Sequence, residues 1–128
     1  MIVDTTFLID LEREIVRKQP GPAMEFLAGH HTQTMRISVV TLGELAEGYE
    51  DPEAPGLEEL LAPYEIVEIT RVIGRRYSAI SRVLRSTGNR WGDNDLWIGA
   101  TALAVREPLV TRDRDHFSRI AGLSVLGY

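Results

Sequence analysis

A chain of 128 residues has room for one domain, residues 1–128, with a core that buries roughly two-thirds of the unfolded surface. It is 44% hydrophobic and 26% charged, has no cysteine, and has no uncharged apolar run approaching ~20 residues. That composition excludes a disulfide scaffold, a thiolate metal site and a membrane-spanning helix. The apolar start, Met1-Ile2-Val3, meets Asp4 at once, so no secretory leader is expected and the chain reads as cytoplasmic.

Net charge is −5, which on the sum alone argues against a nucleic-acid partner. The distribution is more informative: residues 1–70 hold 4 basic and 14 acidic side chains (4 − 14 = −10), and residues 71–128 hold 10 and 5 (10 − 5 = +5). Of the 14 cations only Lys18 is a lysine. Arginine's planar fork suits phosphate, although arginine-favouring codon usage accounts for the same bias.

In chain order, Met1–Asp4 reads as a strand and Thr5–Arg17 as a helix. Pro20-Gly21-Pro22 breaks the chain before a short helix at Ala23–Ala28. A second strand is expected at Arg36–Val40 and a helix at Leu42–Tyr49. Pro52 and Pro55 punctuate a loop ahead of a helix at Leu57–Leu61, and a third strand follows at Tyr64–Ile69. A long helix at Arg71–Thr87 stops at Gly88. After a polar loop, Asp93–Val105 is apolar nearly all round, the mark of a central buried helix. Pro108 ends it. Leu109–Thr111 is a fourth strand, Asp115–Ile120 a short helix and Leu123–Leu126 a last strand. Short apolar strands alternating with helices predict a three-layer α/β/α sandwich on a mainly parallel sheet of four to five strands.

In a parallel sheet all strand C-termini share one edge, where ligands bind. Asp4 closes the first strand, Glu44 follows the second in the first helical turn, and Asp113 follows the fourth. Asp95 opens the buried helix, which must start at that same edge in order to feed the fourth strand. Four acids spread over 110 positions should therefore meet.

Each alone has an ordinary structural explanation. Asp4 could cap the first helix, Thr41 and Glu44 have the spacing of a capping box, and Asp93, Asp95 and Asp113 could cap helices or favour their dipoles. Together the acids conflict, because two carboxylates ~5 Å apart repel by about 3 kcal/mol at an effective dielectric near 20. A cation resolves the conflict, and an all-oxygen donor set selects Mg²⁺ or Mn²⁺ over zinc. Such sites commonly hydrolyse phosphodiesters.

Four motifs in order, spanning nearly the whole chain, resemble the VapC-type PIN-domain ribonucleases. They are Met1-Ile2-Val3-Asp4-Thr5-Thr6 with Leu8-Ile9-Asp10, Thr41-Leu42-Gly43-Glu44-Leu45-Ala46-Glu47-Gly48, Gly92-Asp93-Asn94-Asp95-Leu96-Trp97-Ile98-Gly99-Ala100, and Leu109-Val110-Thr111-Arg112-Asp113 with His116-Phe117. The resemblance implies that Asp4, Glu44, Asp95 and Asp113 form a catalytic, metal-binding quartet, with Asp4 and Asp95 as direct ligands of Mg²⁺ or Mn²⁺. Glu44 and Asp113 would ligate, hold water or assist proton transfer. Thr5 or Thr6, and Thr111, would steady the carboxylates, and Asp93 is a neighbour better suited to capping. The family more often has alanine at Gly99, so close packing or a looser helix is expected there. The resemblance also implies endoribonuclease activity, inhibition of translation, a cognate VapB-like antitoxin and a homodimer.

Arg71, Arg75, Arg82 and Arg85 share one face of the long helix, which is either a phosphate-tracking stripe or a solvated surface. Arg90, Arg112 and Arg114 lie in loops beside the acids and are better placed to hold RNA. Trp91 could stack on a base or pack on the core, and Trp97 should be buried. His30, His31 and His116 fit no triad, so a histidine-pair ribonuclease is poorly supported. An aspartyl-phosphate phosphatase would need a second aspartate two residues after Asp4, where Thr6 stands. The competing readings are a PIN nuclease of RNA maturation and a non-catalytic PIN module that binds RNA or a partner.

Overall fold

The computed structural model describes residues 1–89 and 91–128. Among the described residues are five strands: β1 (Ile2–Val3), β2 (Arg36–Ser38), β3 (Glu65–Val67), β4 (Leu109–Val110) and β5 (Val125–Leu126). The helices are α1 (Thr5–Arg17), α2 (Pro22–Gly29), α3 (Val39–Ala46), α4 (Pro55–Leu61), α5 (Arg71–Ser86), α6 (Asp93–Val105) and α7 (Arg114–Phe117). All strand pairings are parallel, in the order β3-β2-β1-β4-β5. The expected sandwich on a parallel sheet is thus observed, with five strands.

Strand alternation builds the layers. Ile2 and Leu109 belong to a core shared with Ile73, Ile80 and Leu84 of α5 and with Ile98 and Ala100 of α6. Their neighbours Val3 and Val110 belong to a second core with Phe7, Leu8 and Leu11 of α1, Ala23 of α2 and Leu57 and Leu61 of α4. Successive strand residues thus point to opposite faces, so both sides of the short sheet are covered. Among the described residues no helix is long and apolar enough to cross a membrane.

α6 is buried from Leu96 through Ala102, apart from half-buried Trp97, and α5 packs along it. Trp97, expected to be buried, lies flat on Tyr77 of α5 at 4.0 Å between ring centroids. Gly99 allows a close approach: a β-carbon there would sit 2.5 Å from Ile120 Cδ1.

The strands are shorter than expected and the helix expected at Asp115–Ile120 runs over Arg114–Phe117, but the departure that bears on the site is the β2–α3 boundary. Val39 and Val40 read as strand because they are β-branched, yet both are helical. Ser38 ends β2 and caps α3, its hydroxyl accepting from the Val40 N–H at 3.1 Å. Glu44 therefore lies in the second turn of α3, not the first, and the Thr41/Glu44 capping box does not form.

The two sheet edges differ in charge balance. At the N-terminal edge, Glu107 binds both Arg36 and the Met1 amino group, and Arg36 also faces Glu65. Acid and base are matched there. The C-terminal edge is built otherwise.

Candidate active site

Asp4 leaves β1 with extended backbone and caps α1, its Oδ1 accepting from the Phe7 N–H at 2.9 Å. Its side chain is buried, with the residue 5% exposed. That burial holds its carboxyl above the usual range, opposed by the Thr111 hydroxyl and the Phe7 N–H; the Asp95 charge pushes it further up and Arg112 pulls it down. Asp95 lies in the first turn of α6. Burial raises it too; His116 counters this, and the charges of Glu44 and Asp113 add to the rise. Asp95 is thus the acid that links the others at the C-terminal edge, acting on Asp4 and acted on by Glu44 and Asp113.

The supporting groups are specific. The Thr5 hydroxyl donates to Glu44 Oε1 at 2.6 Å and lies 3.3 Å from the buried Thr41 hydroxyl. Thr6 is exposed, so of the two adjacent threonines Thr5 meets the acids. Thr111 is fully buried and its hydroxyl accepts from the Asp113 N–H at 3.0 Å. Asp113 caps α7, accepting from the His116 N–H at 3.2 Å. Asp93 does not cap α6, where Gly92 holds the cap position without a side-chain bond. It accepts instead from the Tyr77 hydroxyl at 3.0 Å, which ties α6 to α5.

Sequence reasoning placed His116 in the fourth motif but gave it no role among the acids. Its Nε2 lies 3.2 Å from Asp95 Oδ2, off the line a hydrogen bond needs, and its ring stacks on Trp91 at 3.7 Å between centroids. One residue thus touches two of the four acids, Asp113 through its backbone and Asp95 through its ring. The signal was its place three residues after Asp113, where a cap turns the following side chain back over the site. Trp91 packs on the core, through His116 and the edge of Phe117.

The expected basic residues divide. Arg112 lies beside Asp4, but its guanidinium is paired with Asp10, which also accepts from Tyr128. Arg114 and, on α5, Arg75 and Arg82 are exposed. Arg90 falls outside the described residues.

Among the described residues no three acidic or histidine side chains converge tightly enough to enclose a cation by themselves. Mg²⁺ does not require that, since it commonly takes one or two carboxylates and keeps several waters. Two acids raised by burial and by neighbouring carboxylates, presenting only oxygen donors, fit such an ion.

The raised carboxyls have a measurable consequence. The unfolded chain gives up these protons near the ordinary value of 3.8, before the folded chain does. Stability is therefore lost as pH rises from there to the raised folded value, and stays lost above it. In metal-free buffer the melting temperature of Asp95→Asn should gain on that of wild type across this window. A difference that shrinks as pH rises would contradict the assignment.

The PIN domain family model matches residues 1–123. The protein named Ribonuclease VapC10 of Mycobacterium tuberculosis is 36% identical over 117 residues, covering 91% of this chain and 85% of that protein. The chain belongs to the PIN-domain family, among its VapC members. Solved structures agree. VapBC-1 from nontypeable Haemophilus influenzae superimposes with a TM-score of 0.81 at 26% identity, over 98% of this chain and 96% of that one. A toxin–antitoxin complex from Klebsiella pneumoniae gives 0.71 at 26% identity, over 98% and 94%. Within this PIN domain the four motifs read from the sequence are the segments that carry the clustered acids.

Proposed function

We propose that this PIN domain is a Mg²⁺- or Mn²⁺-dependent endoribonuclease, the toxin of a toxin–antitoxin pair restrained by a VapB-like antitoxin and working as a homodimer in the cytoplasm. The observation that carries the catalytic part is the meeting of Asp4, Glu44, Asp95 and Asp113, two of them shifted upward, with hydroxyls and an imidazole arranged behind them. The VapC and VapBC names of similar proteins support the RNA substrate and the antitoxin.

When bound, the divalent cation supplies positive charge for a phosphate oxygen and makes a nearby water a stronger nucleophile. Asp4 and Asp95 would hold it. Asp4 is fixed by the Phe7 N–H, and its burial keeps bulk water from screening the charge. Glu44, oriented by Thr5, would accept a proton from the attacking water. Asp113, fixed between the Thr111 hydroxyl and the first turn of α7, can orient that water or the departing 3′-oxygen.

The test is cellular RNA incubated with the protein and Mg²⁺ or Mn²⁺, beside Asp4→Asn and EDTA controls, with sequencing of the new ends. Cuts at few sites, absent from both controls and leaving 5′-phosphate and 3′-hydroxyl ends, are expected. Cyclic phosphate ends, or cutting indifferent to Asp4→Asn, would sink the mechanism. Growth arrest on induction, reversed by a neighbouring open reading frame, would separate a toxin from a maturation nuclease. Replacing Thr5 by valine keeps the shape and removes the bond to Glu44. Cleavage should fall by about 10–100-fold, as for other supporting groups around a metal site, with an unchanged circular dichroism spectrum.

A further inference from the structure

α5 carries Arg71, Arg75, Arg76, Arg82 and Arg85 and no acidic residue. All five arginines are exposed, and among the described residues none is in an ion pair. An isolated solvated helix face normally mixes its signs, because like charges on one face repel. At 3.6 residues per turn, Arg71, Arg75, Arg82 and Arg85 fall within an arc of about 80°, with Ser78 among them. Arg76 lies about 140° from the middle of that arc. It borders a different cavity, beside Arg106 and Pro108 near the N-terminal edge of the sheet.

The arginine arc borders a trough of mixed polar and apolar lining. A cavity of about 370 Å³ beside Tyr77, Ser78 and Arg82 shares Ser81 and Arg85 with a second of about 480 Å³. The second reaches Asn89, Trp91 and Asp93 at the start of α6, two residues before Asp95. Arginines and hydroxyls, with Leu84, Trp91 and Leu96 beside them, therefore line a path that reaches the first residue of α6. The other half of the molecule is the reverse: Glu50, Asp51, Glu53, Glu58 and Glu59 crowd the surface around α4. An anionic chain is repelled there and drawn to α5.

We infer that the Arg71–Arg75–Arg82–Arg85 face of α5 and the trough beside it form the track on which single-stranded RNA lies as it approaches the start of α6. The inference rests on the RNA-cleaving reading for its occupant and adds where the strand runs. The arginines hold successive phosphates, and the hydroxyls of Ser78 between them and Ser81 beside them accept or donate to sugar and base edges. Sequence is not read by this face. Its contribution is length-dependent affinity.

Binding measured in EDTA keeps the test independent of cleavage. The probe is a fluorescein-labelled oligouridine of roughly 20 nucleotides, long enough to cover several sites, titrated over a series of salt concentrations. Wild type is compared with the triple variant Arg75→Ala/Arg82→Ala/Arg85→Ala and with Arg76→Ala, each verified as folded by circular dichroism. Each single-strand phosphate contact contributes about 0.7 to the slope of log K against log salt. The triple variant should flatten that slope by about 2 and weaken binding about tenfold or more at low salt. Arg76→Ala, which removes charge from the other flank, should leave the slope near wild type. An unchanged slope in the triple variant overturns the track, as does an equal loss in Arg76→Ala, which would mean that only total charge matters. A protein that binds this way but leaves cellular RNA uncut with Mg²⁺ keeps the track and loses the nuclease reading. One that cuts RNA with no change of slope does the opposite.

Discussion

Asp95→Asn is expected to lower RNA cleavage by about a thousandfold while making the metal-free protein harder to melt. The first half follows from the proposed role: losing one of two charged holders of a cation removes several kcal/mol of transition-state stabilisation, and about 4 kcal/mol corresponds to that factor. The second half follows from the neighbours. Asp95 is raised by burial and by the charges of Glu44 and Asp113, so its ionised form is under strain in the folded chain. Asparagine keeps the shape and ends the repulsion, so the variant should melt higher in metal-free buffer, by an amount that solvent screening keeps small at this half-exposed side chain. A sub-millimolar excess of Mn²⁺ should stabilise wild type and do little for the variant. Cleavage within about tenfold of wild type would remove Asp95 from the reaction. Lower stability in EDTA would mean that its link to His116 outweighs the repulsion.

Phe7→Ala is expected to cost about 3–5 kcal/mol, a large share of the 5–15 kcal/mol that holds a typical domain together. Phe7 is fully buried on the inner face of α1, and its ring meets the edges of Phe26 at 5.8 Å and Tyr128 at 4.9 Å. Deleting it leaves a cavity shared by α1, α2 and the last residue of the chain, and also forfeits two aromatic contacts. The Phe7 N–H is the donor that fixes Asp4, so loosening this turn loosens the acid as well. Urea unfolding monitored by circular dichroism measures the cost. On the same helix Val16 is 75% exposed, and Val16→Ala should change stability by no more than about 0.5 kcal/mol. A loss of only about 1 kcal/mol for Phe7→Ala would show that the neighbouring side chains collapse into the gap.

The parts of the fold most legible in the sequence had chemistry at their ends. α1 runs over Thr5–Arg17 and α6 over Asp93–Val105, as their sequences predict, because Asp4 caps one and Gly92 with Pro108 brackets the other. The β2–α3 junction was not legible. Two valines argued for strand locally, and the deciding group was a buried serine whose capping bond no pattern announces. The meeting of the four acids could be read from topology alone, since a parallel sheet sends every strand end to one edge. What stands behind the acids could not. Thr5 and Thr6 are equivalent in sequence, and only the phase of α1 turns the first towards Glu44 and the second to solvent. Asp93 looked like a cap, but Tyr77 from another helix claims it. The contacts of His116 were invisible for the same reason: its partners Asp95 and Trp91 lie over twenty positions away.

The strand order carries a consequence for the chain as it is made. β1 is the middle strand, and its two neighbours are β2 and β4, with Ile2 opposite both Arg36 and Leu109. A chain released from its N-terminus onwards therefore exposes Asp4 early but cannot close the far side of β1 until residue 109 has emerged. At 5–20 residues per second, that interval lasts roughly 5–20 s. Asp95 and Asp113 arrive only at its end. The cluster is thus assembled last, by the stretch from Asp95 to Asp113, and a ribosome that has not yet released that stretch holds a chain whose acids have not yet met.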